Sequence, residues 1–245
     1  MESERVFLNT HIYEIAFTYS RLSRTRVWLL LKIESMKLTY LLIIALCFTF
    51  SACKKEQSIS VEHGLGEFDT LVFSDVFDVT LIQGTENKIK VMGSSKFVAH
   101  VDWETTNNTL TIRNKSKKKW LNPTTNKIHL EVTVNGIARI IANETCAIKS
   151  QNELIGNELG LILKSKLNHA SLQLNCNTFY YWNNFPCGGT VTLKGQCHTI
   201  KLWNYALMQI DATQLQSSVG EIENTSKGDI HLWCSDSITY KINGT

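Results

Sequence analysis

Short runs of alternating apolar and polar residues recur through the later part of the chain. They include Phe77-Asp78-Val79-Thr80-Leu81, Ile89-Lys90-Val91, Leu110-Thr111-Ile112 and Ile128-His129-Leu130-Glu131-Val132-Thr133-Val134. Alternation with period two puts one side of a strand on a core and the other in water. No long helical periodicity accompanies it. The pattern predicts an all-β domain.

The second half repeats. Cys176-Asn177-Thr178-Phe179-Tyr180-Tyr181-Trp182-Asn183 aligns without gaps on Cys197-His198-Thr199-Ile200-Lys201-Leu202-Trp203-Asn204, 21 residues later, and a looser copy follows at Val219 to Asn224. An apolar landmark ahead of each Asn-type position falls at Ile141, Leu163, Tyr181, Leu202, Ile222 and Ile242. A second apolar-polar-apolar strand keeps step at Leu172, Val191, Met208 and Ile230. A unit of about 20 residues cannot bury its own apolar face, so equivalent units must stack. The expected fold is a single-stranded parallel β-helix, or solenoid, with coils of about 20 residues. A β-sandwich of hairpins is the competing reading, but it leaves the steady period unexplained.

Phase then assigns faces. Ile200 and Leu202 point inward, and Lys201 and Trp203 outward. Outward columns of Tyr180, Lys201 and Glu221, and of Trp182, Trp203 and Glu223, are expected, with Lys201 ion-paired to Glu221. Asn183, Asn204 and Asn224 should stack at a turn, tolerating left-handed backbone or bonding along the column.

One apolar run breaks the β pattern. Leu38 to Phe50 follows Met36-Lys37 and precedes Ser51-Ala52-Cys53. A basic start, an apolar run too short to span a bilayer and then small residues describe a secretory signal. Small residues directly before a cysteine resemble the bacterial lipobox, although Phe50 stands where Leu is commonest. The expectation is cleavage before Cys53 and lipidation of Cys53. An ordinary signal peptide with Cys53 incidental is the alternative. Residues 1–35 are too long for the start of a signal. They read as an extension upstream of the true start at Met36, or alternatively as an amphipathic leader. The organisation expected is therefore 1–35 extension, 36–52 signal, 53–66 flexible tether and 67–245 β-helix.

Composition narrows function. From Cys53 onward the chain carries 19 of the 25 Lys and Arg and 18 of the 22 Asp and Glu. A near-neutral domain gives no nucleic-acid footprint. The cluster Lys115, Lys117, Lys118 and Lys119 reads as a solvated loop. Six histidines from His63 to His231 are dispersed, and no Cys-x-x-Cys or His-Glu-x-x-His pattern occurs, so neither a metal nor any other cofactor is expected.

Cys176 and Cys197 share a phase on neighbouring coils, about 4.8 Å apart, and are the candidate disulfide. Stacked cysteines serving as small core residues are the other reading. An enzyme acting on polysaccharide would need clustered carboxylates. Glu221 and Glu223 are the one outward pair considered, and Arg139 is the only arginine from Ile128 onward; no catalytic residue is assigned. Trp182 and Trp203 on one outer column, with Trp233 on a similarly phased outward position of the other strand, are the candidate glycan-binding residues, because aromatic faces cover sugar C–H surface. Burial of these rings under a loop is the alternative.

The chain from about residue 66 to 245, with its lipobox, resembles the head GIN domain (auto-transporter adhesin) lipoproteins of Bacteroidota. The resemblance rests on Phe68, Leu71-Val72-Phe73, Val76 to Gly84, Leu110-Thr111-Ile112, Ile128 to Val134, the Asn- and Gly-punctuated coils and Gly228-Asp229-Ile230-His231-Leu232. Coil turns are Asn-rich here where the family carries Ser-Gly-Ala. The chain also stops inside a repeat, at Ile242-Asn243-Gly244-Thr245, which reads as a truncated or open last coil. The resemblance implies a β-helix and an adhesion-like role. The expected protein is a non-catalytic adhesion or interaction module of the cell envelope, held at the outer membrane through Cys53. Its partners would be a cell-surface glycan or an envelope protein. The alternative is a glycan-recognising or polysaccharide-active envelope protein.

Overall fold

The computed structural model describes residues 58–116, 128–184 and 186–243. The extension, the signal segment, Cys53, Lys117, Lys118 and Lys119 lie outside the described residues. The architecture is a β-solenoid of about 5 turns with coils of about 21 residues. Each coil contributes to two walls of parallel strands.

The first wall runs through β3 (Phe77–Gln83), β9 (Cys146–Ser150) and the leading halves of β11 (Asn168–Asn183), β12 (Gly188–Asn204), β13 (Leu207–Asn224) and β14 (Ile230–Ile242). The second wall runs through β2 (Thr70–Phe73), β8 (Arg139–Ala142), the end of β10 (Leu154–Leu163) and the trailing halves of β11 to β14. From β11 on, one long strand serves both walls and bends between them. At the bend of β12, Gly195 has φ +105, and a Cβ there would collide with the carbonyl oxygen of Leu174. Only glycine fits that backbone beside that neighbour.

Alternation builds the core. On the second wall Ile140, Leu161, Tyr181 and Leu202 pair in register, all fully buried; on the first wall Ala170, Val191 and Ile210 do the same. Lys201 and Trp203 point outward between them. Three landmarks of the sequence reading are corrected. Ile141 faces outward, and Leu163 and Ile242 pair with the Asn positions 183 and 224. The residues in register with Tyr181, Leu202 and Ile222 are Ile140, Leu161 and Tyr240 instead. Ile141 has the opposite parity to Ile140, and a one-residue slip exchanges the faces of a strand; Leu163 and Ile242 lie two residues along, keeping the parity but taking the next rung.

The Asn positions carry a second ladder, and it points inward. Asn183 and Asn204 are fully buried. Asn183 Nδ2 donates to Asn204 Oδ1 at 2.7 Å and to Tyr181 Oη at 2.9 Å, and Asn204 Nδ2 donates to the Met208 carbonyl at 3.0 Å. The Tyr205 N–H donates to Asn183 Oδ1 at 2.7 Å, and Asn224 Nδ2 repeats the turn contact to Gly228. Among the described residues, positive φ outside glycine occurs only at Asn107 and Asn108. The expected bonding along the column is present without the expected left-handed backbone, and it satisfies turn groups that burial would otherwise leave unpaired.

Coils do not stack in chain order at the amino-terminal end. β6 (Thr109–Asn114) lies beside β2, and β7 (His129–Val134) beside β3, so the later β6–β7 coil lies outside the earlier β2–β3 coil. Antiparallel strands cover its edges: β4 (Lys88–Ser94) on β7, β1 (Ser58–Gly64) on β4, and β5 (Val101–Thr106) on β6. A short helix, α1 (Ser95–Val98), links β4 to β5 and buries Phe97 and Val98. Residues 58–64, expected within the tether, are thus strand β1. Antiparallel covering moves the hydrogen-bonding edge of the parallel stack onto the short strands β1 and β5. At the other end β14 pairs with β13 alone among the described residues, and Tyr240 is 70% exposed.

Candidate functional site

The second wall carries the aromatic strip. Trp182 and Trp203 occupy one rung position on β11 and β12, both half-buried, and Glu223 and Lys241 continue that column. Tyr180 precedes Trp182 and lies over Gly160 of β10, where a Cβ would collide with its ring. Lying flat brings its hydroxyl to Arg139, whose Nε donates to it at 2.7 Å. This contact raises the Arg139 pKa above its usual value. The Tyr180 and Trp203 rings are 6.5 Å apart at 55°.

The two carboxylates weighed as a catalytic pair are each held by lysine. Lys201 Nζ is 2.9 Å from Glu221, as the register predicts, and Lys241 Nζ is 2.9 Å from Glu223. The Lys241 bond holds the Glu223 carboxyl below its usual pKa. Trp233 is 51% exposed but pairs with Gln216 at the corner between walls, away from Trp182 and Trp203. It lies on the other strand from Trp182 and Trp203, where the β13–β14 register shifts between Ala212 and Gln216.

Trp233 instead borders a corner groove of about 430 Å³ that also contains Cys176, Cys197 and His198. Cys176 and Cys197 are register partners, as the repeat predicts, and both are buried. Cys146, Cys176, Cys187, Cys197 and Cys234 are free thiols. In-register parallel strands separate side chains by about 4.8 Å, wider than the ~3.8 Å Cβ spacing typical of a disulfide. Burial pushes the Cys176 thiol up to about 11 and the Cys197 thiol up to about 12.

The first wall holds a groove that sequence reasoning missed. It is about 400 Å³ and includes Asp78, His129, Ala147, Lys149, His169 and Thr190. His129 and His169 are distant in sequence but lie on one outward column through Asp78 and Ala147. His129 Nδ1 is 3.6 Å from Asp78 Oδ2, and His169 Nδ1 is 3.0 Å from Thr190 Oγ1. Extending the 21-residue phase to polar positions pairs His169 with Thr190 and is the signal that could have found it.

With two outer surfaces and a β-solenoid in view, similarity to known proteins becomes informative. Residues 67–245 match the family model described as putative auto-transporter adhesin, head GIN domain. The chain belongs to that family. A putative adhesin from Bacteroides fragilis NCTC 9343 has a similar structure, with TM-score 0.68 and 20% identity over 78% of this chain and 87% of its own. A putative adhesin from Parabacteroides merdae ATCC 43184 reaches TM-score 0.51 at 13% identity, over 78% of this chain and 95% of its own. A putative lipid binding protein from Parabacteroides distasonis ATCC 8503 gives the same values. At such identities the likeness shows the fold. No curated protein matches the chain.

Proposed function

We propose that this head GIN domain protein is a lipid-anchored, non-catalytic adhesion or interaction module of the bacterial cell envelope. The observation that carries the non-catalytic part is the pairing of Glu221 with Lys201 and of Glu223 with Lys241, which leaves that face as ordered, charge-balanced columns. Family membership supports the adhesion-like role. The anchor rests on the lipobox-like Ser51-Ala52-Cys53. Because β1 starts at Ser58, four residues link Cys53 to the first strand. Five steps of extended chain reach at most about 17 Å, so the β-helix would work close to the membrane surface.

The test follows incorporation of radiolabelled palmitate and protease shaving of intact cells. Wild-type chain should take up label, and Cys53→Ser should not; equal labelling overturns the anchor. Shaving that removes the domain from intact cells indicates outward-facing partners, whereas protection indicates periplasmic ones.

A second reading, glycan recognition by the second wall, is favoured by Tyr180, which Gly160 and Arg139 hold flat beside Trp203. Flat, prepositioned aromatic rings suit sugar faces. Glycan-array binding should fall in Trp182→Ala and Trp203→Ala and persist in Trp233→Ala. Equal binding by all three removes this reading.

A further inference from the structure

The first-wall groove combines three features. It has a low floor, because Ala147 stands in register between Asp78 and His169, so a methyl group separates two larger side chains. Its walls are hydroxyls and imidazoles, with Thr80, Ser171, Thr190 and Thr192 beside His129 and His169. It also contains one uncompensated cation. Lys149 points outward two residues beyond Ala147, in register with Thr80 and Ser171, neither of which carries charge. The carboxylate beyond Thr80 is Glu131, which Lys90 already holds at 3.0 Å, and Asp78 faces His129. Among the described residues Lys149 has no ion-pair partner.

A smaller depression of about 180 Å³ shares Thr190 and Thr192 and continues toward Asp211, Asp229 and His231. There Asp211 accepts from the Thr213 hydroxyl and from the Thr213 N–H at 3.0 Å, which keeps its carboxyl below the usual range and ionised. The groove therefore carries Lys149 and the His129-facing Asp78 at one end and the carboxylates of Asp211 and Asp229 at the other. Its long direction crosses successive rungs about 4.8 Å apart, close to the length of one pyranose ring in an extended chain.

We propose that this groove binds an extended oligosaccharide in which a uronic acid alternates with a neutral sugar. The carboxylate sits against Lys149, one ring face lies on Ala147, and the next, uncharged ring lies toward Asp211. Hydroxyls and imidazoles exchange hydrogen bonds with sugar hydroxyls, and a charge-assisted bond to Lys149 selects the acid. Asp211 and Asp229 repel a second carboxylate, which excludes a wholly acidic chain. The volume lies within the range of small-ligand sites. The inference rests on the interaction-module reading and names a ligand class for it.

The test is calorimetry on the full chain in detergent with three tetrasaccharides: alternating glucuronate and N-acetylglucosamine, neutral N-acetylglucosamine, and galacturonate. The alternating chain should bind best. Lys149→Gln should weaken it about tenfold and abolish the preference over the neutral chain. Ala147→Trp, an outward substitution that fills the floor, should abolish binding; if it fails to fold, Lys149→Gln decides alone. Trp203→Ala, on the other wall, should leave this binding unchanged. Absence of wild-type binding to the alternating chain, or binding indifferent to Lys149→Gln, overturns the proposal. Loss of Cys53-dependent labelling with groove binding intact overturns only the anchor, and the reverse result overturns only the groove.

Discussion

The two walls share a backbone and differ in what they present. Inward, both repeat aliphatic and aromatic rungs at every coil. Outward, the second wall sets aromatic rings among paired charges, whereas the first sets hydroxyls and imidazoles around an unpaired lysine. The stack therefore specifies spacing, and the outward residues specify chemistry. Two binding chemistries can vary independently as long as the inward pattern is kept.

The comparison breaks most completely where the walls share support. Leu202 is fully buried and in register with Tyr181 and Ile222. Leu202→Ala should cost about 2–5 kcal/mol and lower the urea midpoint seen by tryptophan fluorescence and by circular dichroism together. Separate shifts of the two signals would show that the walls melt independently. Asn204→Ala deprives Asn183 Nδ2 of an acceptor and the Met208 carbonyl of a donor. The cost should be about 1–3 kcal/mol for each group left unpaired, read in the same titration.

Alkaline pH acts on the corner between the walls. Cys176 and Cys197 titrate near 11 and 12 when folded, above the usual 9.0. Above pH 9 the unfolded chain releases these protons while the folded chain keeps them, so stability present below pH 9 is lost progressively up to pH 12. Thermal melts at pH 8, 9.5 and 11 should show a falling midpoint; replacing both cysteines by alanine should lessen that dependence, and the buried Cys146 and Cys187 thiols, also pushed up by burial, carry the remainder. Alkylation in denaturant of the lipidated chain should find five thiols. A count of three, restored to five by reductant, would show the Cys176–Cys197 bond formed in cells.

Smaller changes sharpen the contrast on one wall at a time. Gly160→Ala must displace the Tyr180 ring and break its bond to Arg139. About 1 kcal/mol should be lost, with altered second-wall glycan binding and unchanged first-wall binding. Lys201→Gln removes a half-exposed pair with Glu221 and should change stability by less than about 1 kcal/mol. A larger loss would mean that the charge ladder supports the stack itself.

Much of the fold was legible because a repeat averages out local ambiguity. Tyr181, Leu202 and Ile222 fell on one rung by phase alone, and Lys201 found Glu221. Legibility failed where the phase is locally ambiguous or the contact is distant. Ile140-Ile141 offers two parities, and only the pairing with Leu161 selects Ile140. Strand β1 was hidden in the supposed tether, although Ile59 and Val61 alternate; its partner, β4, supplies the hydrogen bonds that make it a strand. The histidine groove escaped because His129 belongs to the displaced β6–β7 coil, which enters beside β3 out of chain order.

The sequence by itself determined the period, the inward residues of the regular coils and the columns that follow from them. A uniform hydrophobic phase admits essentially one stacking of equal units. The tertiary structure alone decided the order of the first two coils and the inward turn of the Asn ladder. Each depends on pairing between distant strands, and a change of register costs no local propensity while moving side chains to another surface.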